Sequence, residues 1–181
     1  PEYVINYLLE KNGLTDSVQV EYVSEHAEAV TQMAADGADL ILVPEPFVTT
    51  ALSKVEGARV ALDPTQEWAK VSDADMVMGC LVVSKAFAEA DPQALRHFMT
   101  QYAVSADYCT GHTAEAAALI EKFGIMGSAA LAEKAIPNCN IVCVTGQEMV
   151  DMVTGMLAVL FDADPKSVGG SLPGEEMFWL G

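Results

Sequence analysis

Positively charged residues are scarce in this sequence. It has 9 lysines and arginines against 26 aspartates and glutamates, which gives a net charge of -17 over 181 residues. A field of that sign repels phosphate backbones and anionic lipids. We therefore expect no nucleic-acid partner. We interpret the acidity mainly as a source of solubility, and secondarily as a preference for a cationic ligand.

Long apolar runs, internal repeats and low-complexity segments are also absent. No run approaches the roughly 20 apolar residues that span a bilayer, although 51% of the residues are hydrophobic. That composition excludes a disordered chain and suffices for one domain or two small lobes. The sequence starts at Pro1 without an n-region or an apolar h-region. We expect it to be part of a longer protein, with any signal or lipid anchor outside this chain.

The sequence contains no recognisable catalytic or metal-binding spacing. In a strand, Cys139 and Cys143 would lie about 13 Å apart, too far for a disulfide. No histidine or second close cysteine pair accompanies them, as a zinc site would require. We expect the four cysteines to be small buried hydrophobes, and we expect no metal, no cofactor and no enzymatic activity.

Helical periodicity is the dominant pattern of the sequence. Ser24 and Asp91 are predicted N-caps, and Gly13 a predicted C-terminal cap. The predicted helices cover residues 3–11, 24–37, 47–54, 91–106, 113–124, 128–136 and 149–160.

Short aliphatic segments alternate with these helices in the first part of the chain. "VQVEYV", "ADLILV" and "ARVALD" lie within the first 63 residues, and "MVMGCLVVS" and "NIVCV" follow at residues 76–84 and 140–144. A regular alternation of helix and strand within the first 63 residues predicts a parallel α/β sheet with right-handed crossovers. The continuous apolar character of "ADLILV" is typical of a strand covered on both faces.

Several segments together resemble a known family. They are "VEYVSEHAEAVTQMAADGADLILVPEPF", "GCLVVSKAFAEADPQALRHFMTQYAVSADYC" and "HTAEAAALIEKFGI". They are similar to the second half of type II periplasmic-type solute-binding proteins, in the branch that serves nitrate, sulfonate, taurine and thiamine-precursor ABC importers. The resemblance implies two lobes that close on a ligand. It assigns residues 1–74 to an α/β ligand-binding lobe without its first strand. Residues 75–181 would form a crossover strand and helices of the other, incomplete lobe.

Ligands of open parallel sheets bind beyond the carboxyl ends of the strands, where loops enter helix N-termini. This rule selects three short stretches, at residues 1–3, 24–26 and 44–47. The predicted ligand-binding residues are Glu2, Tyr3, Ser24, Glu25, His26, Glu45 and Phe47.

Glu45 is the strongest candidate, because Pro44 and Pro46 fix the backbone on both sides of it. Its carboxylate either contacts a ligand or accepts N–H bonds from the helix that follows, and both roles are compatible. Together with Glu2 and Glu25, it favours a cationic or amine-bearing heterocyclic ligand over nitrate or sulfonate.

The resemblance implies an extracytoplasmic solute-binding component, periplasmic or a cell-surface lipoprotein. Such a component delivers a small organic solute to an ABC permease. Its association with the membrane would depend only on an anchor outside this chain. Two alternatives stay open, an enzyme of the same fold acting on a small heterocycle and a ligand-sensing module.

Overall fold

The computed structural model describes every residue from Pro1 to Gly181, and its regular secondary structure is entirely helical. Three short 3-10 helices cover Ile136–Asn138, Pro165–Val168 and Glu175–Met177. The α-helices are α1 (Glu2–Lys11), α2 (His26–Ala34), α3 (Phe47–Lys54), α4 (Pro64–Trp68), α5 (Lys85–Ala90), α6 (Pro92–Gly111), α7 (Thr113–Lys122), α8 (Ala129–Ala135) and α9 (Gly146–Ala163).

All seven predicted helices are confirmed, and most of their end signals act as expected. The Asp91 carboxylate accepts the N–H of Ala94 at 2.9 Å and so caps α6. Gly13 adopts a left-handed φ of 67° just after α1, which glycine does without strain. The sequence analysis missed the short helices α4 and α5. Asp63 caps α4 by accepting the N–H of Thr65 at 2.9 Å.

The predicted α/β class is wrong, because no strand or sheet is present. The five aliphatic segments predicted as strands form no backbone ladder and lie between helices as non-helical chain. Several of their side chains face solvent, including Leu40, Leu62, Met78 and Val82. The fold is helical, and the predicted parallel-sheet lobe does not exist in it.

The wrong prediction of strands has a physical cause. A run of Val, Leu and Ile has the side chains that strands favour, but a strand is defined by hydrogen bonds to a neighbouring strand. That neighbour is remote in sequence, so a local pattern cannot show whether it is there. A helix, in contrast, satisfies its own backbone groups four residues away.

The chain divides into two compact units by its internal contacts. Unit 1 comprises Pro1–Val20, Leu62–Phe98 and Val144–Gly181. Unit 2 comprises Glu21–Ala61 and Met99–Cys143. Both units are therefore discontinuous in sequence. The predicted division between residues 74 and 75 stays a prediction.

The core of unit 1 is built around Trp68. Its indole is 2% exposed and packs with Leu8 and Met156, while the Tyr7 ring lies 4.5 Å away between centroids. The indole Nε1–H donates to the carbonyl of Ala74 at 2.6 Å. The structure therefore places Trp68 in the core of unit 1.

The core of unit 2 consists mainly of alanines. Ala116 and Ala117 of α7 and Ala132 of α8 are almost fully buried together with Ile136. Small side chains allow two helices to approach closely, and α7 and α8 form the most extensive helix pair of the chain. α2 packs on α3, and α3 packs on α8, so the helices that follow the second and third predicted site stretches belong to this unit. None of the helices has the length and apolar character that crossing a membrane requires.

Candidate ligand-binding site

Glu45 lies immediately before the capping residue of α3. Pro46 occupies the N-cap position and Phe47 is the first helical residue. The Glu45 Oε2 atom accepts the backbone N–H of Thr49 at 3.0 Å. The Pro44 carbonyl accepts the N–H of Phe47 at 2.9 Å.

The carboxylate of Glu45 therefore stabilises the first turn of its own helix. This is one of the two roles that the sequence left open for it, and the bond fixes the orientation of the side chain. The second oxygen, Oε1, accepts no hydrogen bond from the chain, and no lysine or arginine forms an ion pair with Glu45. One oxygen is thus held in place while the other is available to a donor from outside.

The start of α2 supplies the second part of the site. The N-cap position is held by Glu25, which makes no side-chain capping bond. Ser24 is exposed and is not the N-cap, so that prediction is wrong. His26 is the first helical residue and is half-buried. Its ring lies 5.3 Å from the Phe47 ring, centroid to centroid, with the two planes at 54°.

His26 and Phe47 are thus neighbours in space although they belong to different helices. The packing of α2 on α3 explains this, because it aligns the first turns of the two helices. A tilted aromatic pair of this kind provides a ring surface, and Phe47 is two residues from Glu45 in the sequence. The first N–H groups of α3 are already satisfied, because Phe47 and Val48 donate to the Pro44 carbonyl and Thr49 donates to Glu45.

Cys139 is a further member that the sequence analysis did not select. Desolvation, and secondarily the negative charge of Glu45, raise the pKa of the Cys139 thiol above its usual value. Its Sγ donates to the carbonyl of Ala135 at 3.2 Å. A raised pKa keeps the thiol protonated, and a protonated thiol is a weak nucleophile. Nothing local in the sequence links Cys139 to Glu45, since only the packing of α3 on α8 connects them.

Glu2 and Tyr3 belong to unit 1, whereas the other predicted residues belong to unit 2. Both are exposed at the start of α1. The Tyr3 hydroxyl donates a long bond of 3.5 Å to Asp164 Oδ2. Partial desolvation, and then the charges of Asp164 and Glu2, raise the pKa of Tyr3. These two residues therefore have partners of their own within unit 1.

Four side chains of unit 2 form a small cluster of mixed chemistry. We define the Glu45 cluster as His26, Glu45, Phe47 and Cys139. It offers one fixed carboxylate, a tilted aromatic pair and a neutral thiol. No group of three or more His, Cys, Asp or Glu side chains is arranged to hold a metal ion. The chemistry that these groups offer is hydrogen bonding, charge attraction and ring contact.

Comparison with known proteins gives one structural relationship. No family model matches the chain. No curated protein matches it either. A solved structure of an ABC transporter from Parabacteroides distasonis matches 99% of this chain with a TM-score of 0.75 and 23% sequence identity. The chain shares the fold of that protein. It spans 62% of the length of that chain.

Proposed function

We propose that this chain is the greater part of a solute-binding component of an ABC importer. In this role it captures a small organic solute outside the cytoplasm and delivers it to a permease. The support is the fold shared with an ABC transporter protein over 99% of the chain. The resemblance of the sequence to solute-binding proteins also supports this role. Capture needs no bond to be made or broken, only a difference in affinity between conformations.

The Glu45 cluster carries the proposal. A carboxylate that is held by one oxygen and offers the other is preorganised to accept a hydrogen bond from an ammonium or amidine group. The His26 and Phe47 rings would contact the flat part of the same ligand. The proposed ligand is accordingly a cationic or amine-bearing heterocycle.

The excess of acidic residues supports this class of ligand. The ion pairs of Lys70 with Glu67 and of Lys85 with Glu89 lie outside unit 2, and neither involves Glu45. Glu45 therefore has no positive charge of the chain to neutralise it. A cation would supply that charge, while an oxyanion would meet repulsion. The protonated Cys139 favours binding over covalent catalysis.

A thermal-shift screen tests the proposal. Amines, polyamines and thiamine-precursor heterocycles form one group of compounds, and sulfonates and nitrate form the other. A true ligand at about 100 times its Kd adds about 2.7 kcal/mol to the free energy of unfolding, or roughly 5 to 10 °C in Tm for a chain of this size. We expect stabilisation by members of the first group. Stabilisation only by the second would refute the cationic ligand.

The matched variants are Glu45→Gln and Glu56→Gln. Glutamine keeps an oxygen that can accept the Thr49 N–H, so the first change removes mainly the charge. Loss of a charged hydrogen bond should weaken ligand binding about 10- to 100-fold. Glu56 is exposed and lies beyond α3, so its variant should bind normally. Unchanged affinity in Glu45→Gln would remove Glu45 from the site, and product formation from a stabilising compound would show an enzyme instead.

A further inference from the structure

Thr49 is the one buried polar residue of the chain, and its side chain has no hydrogen-bond partner. It is 6% exposed and lies in the first turn of α3, four residues after Glu45. Both of its backbone groups are used. The N–H donates to Glu45 Oε2 at 3.0 Å, and the carbonyl accepts the Ser53 hydroxyl at 2.7 Å. The Thr49 hydroxyl itself makes no hydrogen bond within the chain.

An unused hydroxyl at a buried helical position differs from the usual arrangement in this chain. Helical hydroxyls commonly donate to the carbonyl four residues earlier. Those that do so here, at distances of 2.7 to 3.3 Å, belong to Thr31, Thr50, Ser53 and Thr110. For Thr49 the corresponding carbonyl is that of Glu45, and the bond is not made. Burying a hydroxyl without a partner disfavours folding, so this position calls for an explanation.

The Thr49 hydroxyl is accessible from outside and close to the Glu45 carboxylate. No side-chain nitrogen or oxygen of the chain is both fully buried and unpartnered, so the Thr49 Oγ1 atom keeps some exposed surface. Covalent geometry places this atom within about 4 Å of its own backbone nitrogen, and therefore within about 7 Å of Glu45 Oε2. A single small molecule can contact both side chains over that distance.

Cys139, the other neutral polar side chain of the Glu45 cluster, is less suited to a ligand. Its Sγ already donates to the Ala135 carbonyl at 3.2 Å, and a thiol is a weaker hydrogen-bonding group than a hydroxyl. Cys139 and Cys80 are exposed, so the prediction that all four cysteines are buried is wrong for these two. Thr49 is therefore the better second partner for a ligand held by Glu45.

We propose that Thr49 is a specificity-determining residue of the Glu45 cluster, and that the charged group of the ligand is an amidine or guanidine. This inference rests on the proposed function. One nitrogen of the ligand donates to the free Oε1 of Glu45 and the second donates to the Thr49 hydroxyl. The planar fork of such a group directs N–H donors to two separate acceptors. It also extends the flat shape that the His26 and Phe47 rings contact.

Thr49→Val tests whether the hydroxyl is idle in the free protein. Valine is also branched at Cβ, so the change removes mainly the hydroxyl. The matched control is Thr50→Val, because the Thr50 hydroxyl donates to the Pro46 carbonyl at 2.9 Å. We expect Thr49→Val to keep or raise the Tm and Thr50→Val to lower it. A Tm that falls as far in Thr49→Val as in Thr50→Val would show a structural role of the Thr49 hydroxyl and overturn the proposal.

Binding is compared with two probes, benzamidine and benzylamine, by nuclear magnetic resonance titration. Both are cations with one benzene ring, but only benzamidine has a planar group with two nitrogens. Loss of one hydrogen bond should weaken benzamidine binding to Thr49→Val roughly 3- to 10-fold. We expect benzylamine to change less than about twofold, because it has no second nitrogen to lose a contact. Thr50→Val should bind both probes normally. An unchanged benzamidine affinity in Thr49→Val, or an equal loss for both probes, would refute the role of Thr49.

The Thr49 amide signal separates this inference from the proposed function. Its N–H donates to Glu45 Oε2, so a cation bound at Oε1 should shift that signal in the unmodified chain. If neither probe shifts it, Glu45 binds no cation, and the proposed ligand class fails together with this inference. If benzamidine shifts the signal and binds Thr49→Val with unchanged affinity, only the role of Thr49 is wrong.

Discussion

Replacing Trp68 tests whether unit 1 depends on one buried side chain. Its indole is 2% exposed, contacts the cluster that includes Leu8 and Met156, and bonds the Ala74 carbonyl at 2.6 Å. Truncation of a buried Trp to Ala costs about 3 to 5 kcal/mol. Domains are stable by only about 5 to 15 kcal/mol. We therefore expect Trp68→Ala to leave unit 1 at the margin of folding.

The Trp68→Phe variant separates packing from the hydrogen bond. Phenylalanine keeps an aromatic ring near Tyr7 but has no donor, so the Ala74 carbonyl loses its partner. An unpaired buried polar group costs about 1 to 3 kcal/mol. The smaller ring also leaves a cavity, which lowers the free energy of unfolding further. We expect a total loss of about 2 to 4 kcal/mol.

Urea unfolding followed by far-ultraviolet circular dichroism measures this loss. The matched control is Trp179→Phe, because Trp179 is only half-buried and lies in the same unit. Its loss should be under about 1 kcal/mol. Equal losses for the two variants, or a loss below about 0.5 kcal/mol in Trp68→Phe, would show that the Trp68 environment does not organise unit 1.

Two further predictions concern close contacts. A Cβ at Gly155 of α9 would lie 3.1 Å from the Ala74 Cβ. Gly155→Ala should therefore destabilise the protein by about 1 kcal/mol in urea unfolding despite the better helix propensity of alanine, and adding Ala74→Gly should recover the loss. Because Glu45 contributes to the raised pKa of Cys139, Glu45→Gln should lower that pKa and speed iodoacetamide labelling of Cys139 at pH 8, measured by peptide mass spectrometry. An unchanged rate would contradict the coupling, and Glu56→Gln serves as the control.

The helices show how much local pattern can predict. Asp91 and Ser128 were recognisable as helix starts because their side chains bond N–H groups three residues ahead. The same reasoning failed at Ser24, where Glu25 occupies the cap position. α4 was missed because five residues, Pro64–Trp68, are too few for a periodic pattern to develop.

The candidate site was partly visible in the sequence. Glu45 between two prolines at the start of a helix predicted a fixed carboxylate, and its bond to Thr49 is of the expected kind. Phe47 was predicted as a site residue from the same loop, which leads into α3. The contact with His26 and the coupling to Cys139 were not predictable, because both depend on which helices pack together.

The sequence by itself determined the helices, most of their caps and the orientation of Glu45, because these depend on bonds between residues at most four positions apart. Tertiary structure alone decided whether the aliphatic segments form strands, whether Trp68 is buried, and whether His26 contacts Phe47. Each of these requires contacts between residues far apart in the chain. Such contacts are chosen by the packing of the whole molecule, and no local pattern encodes them.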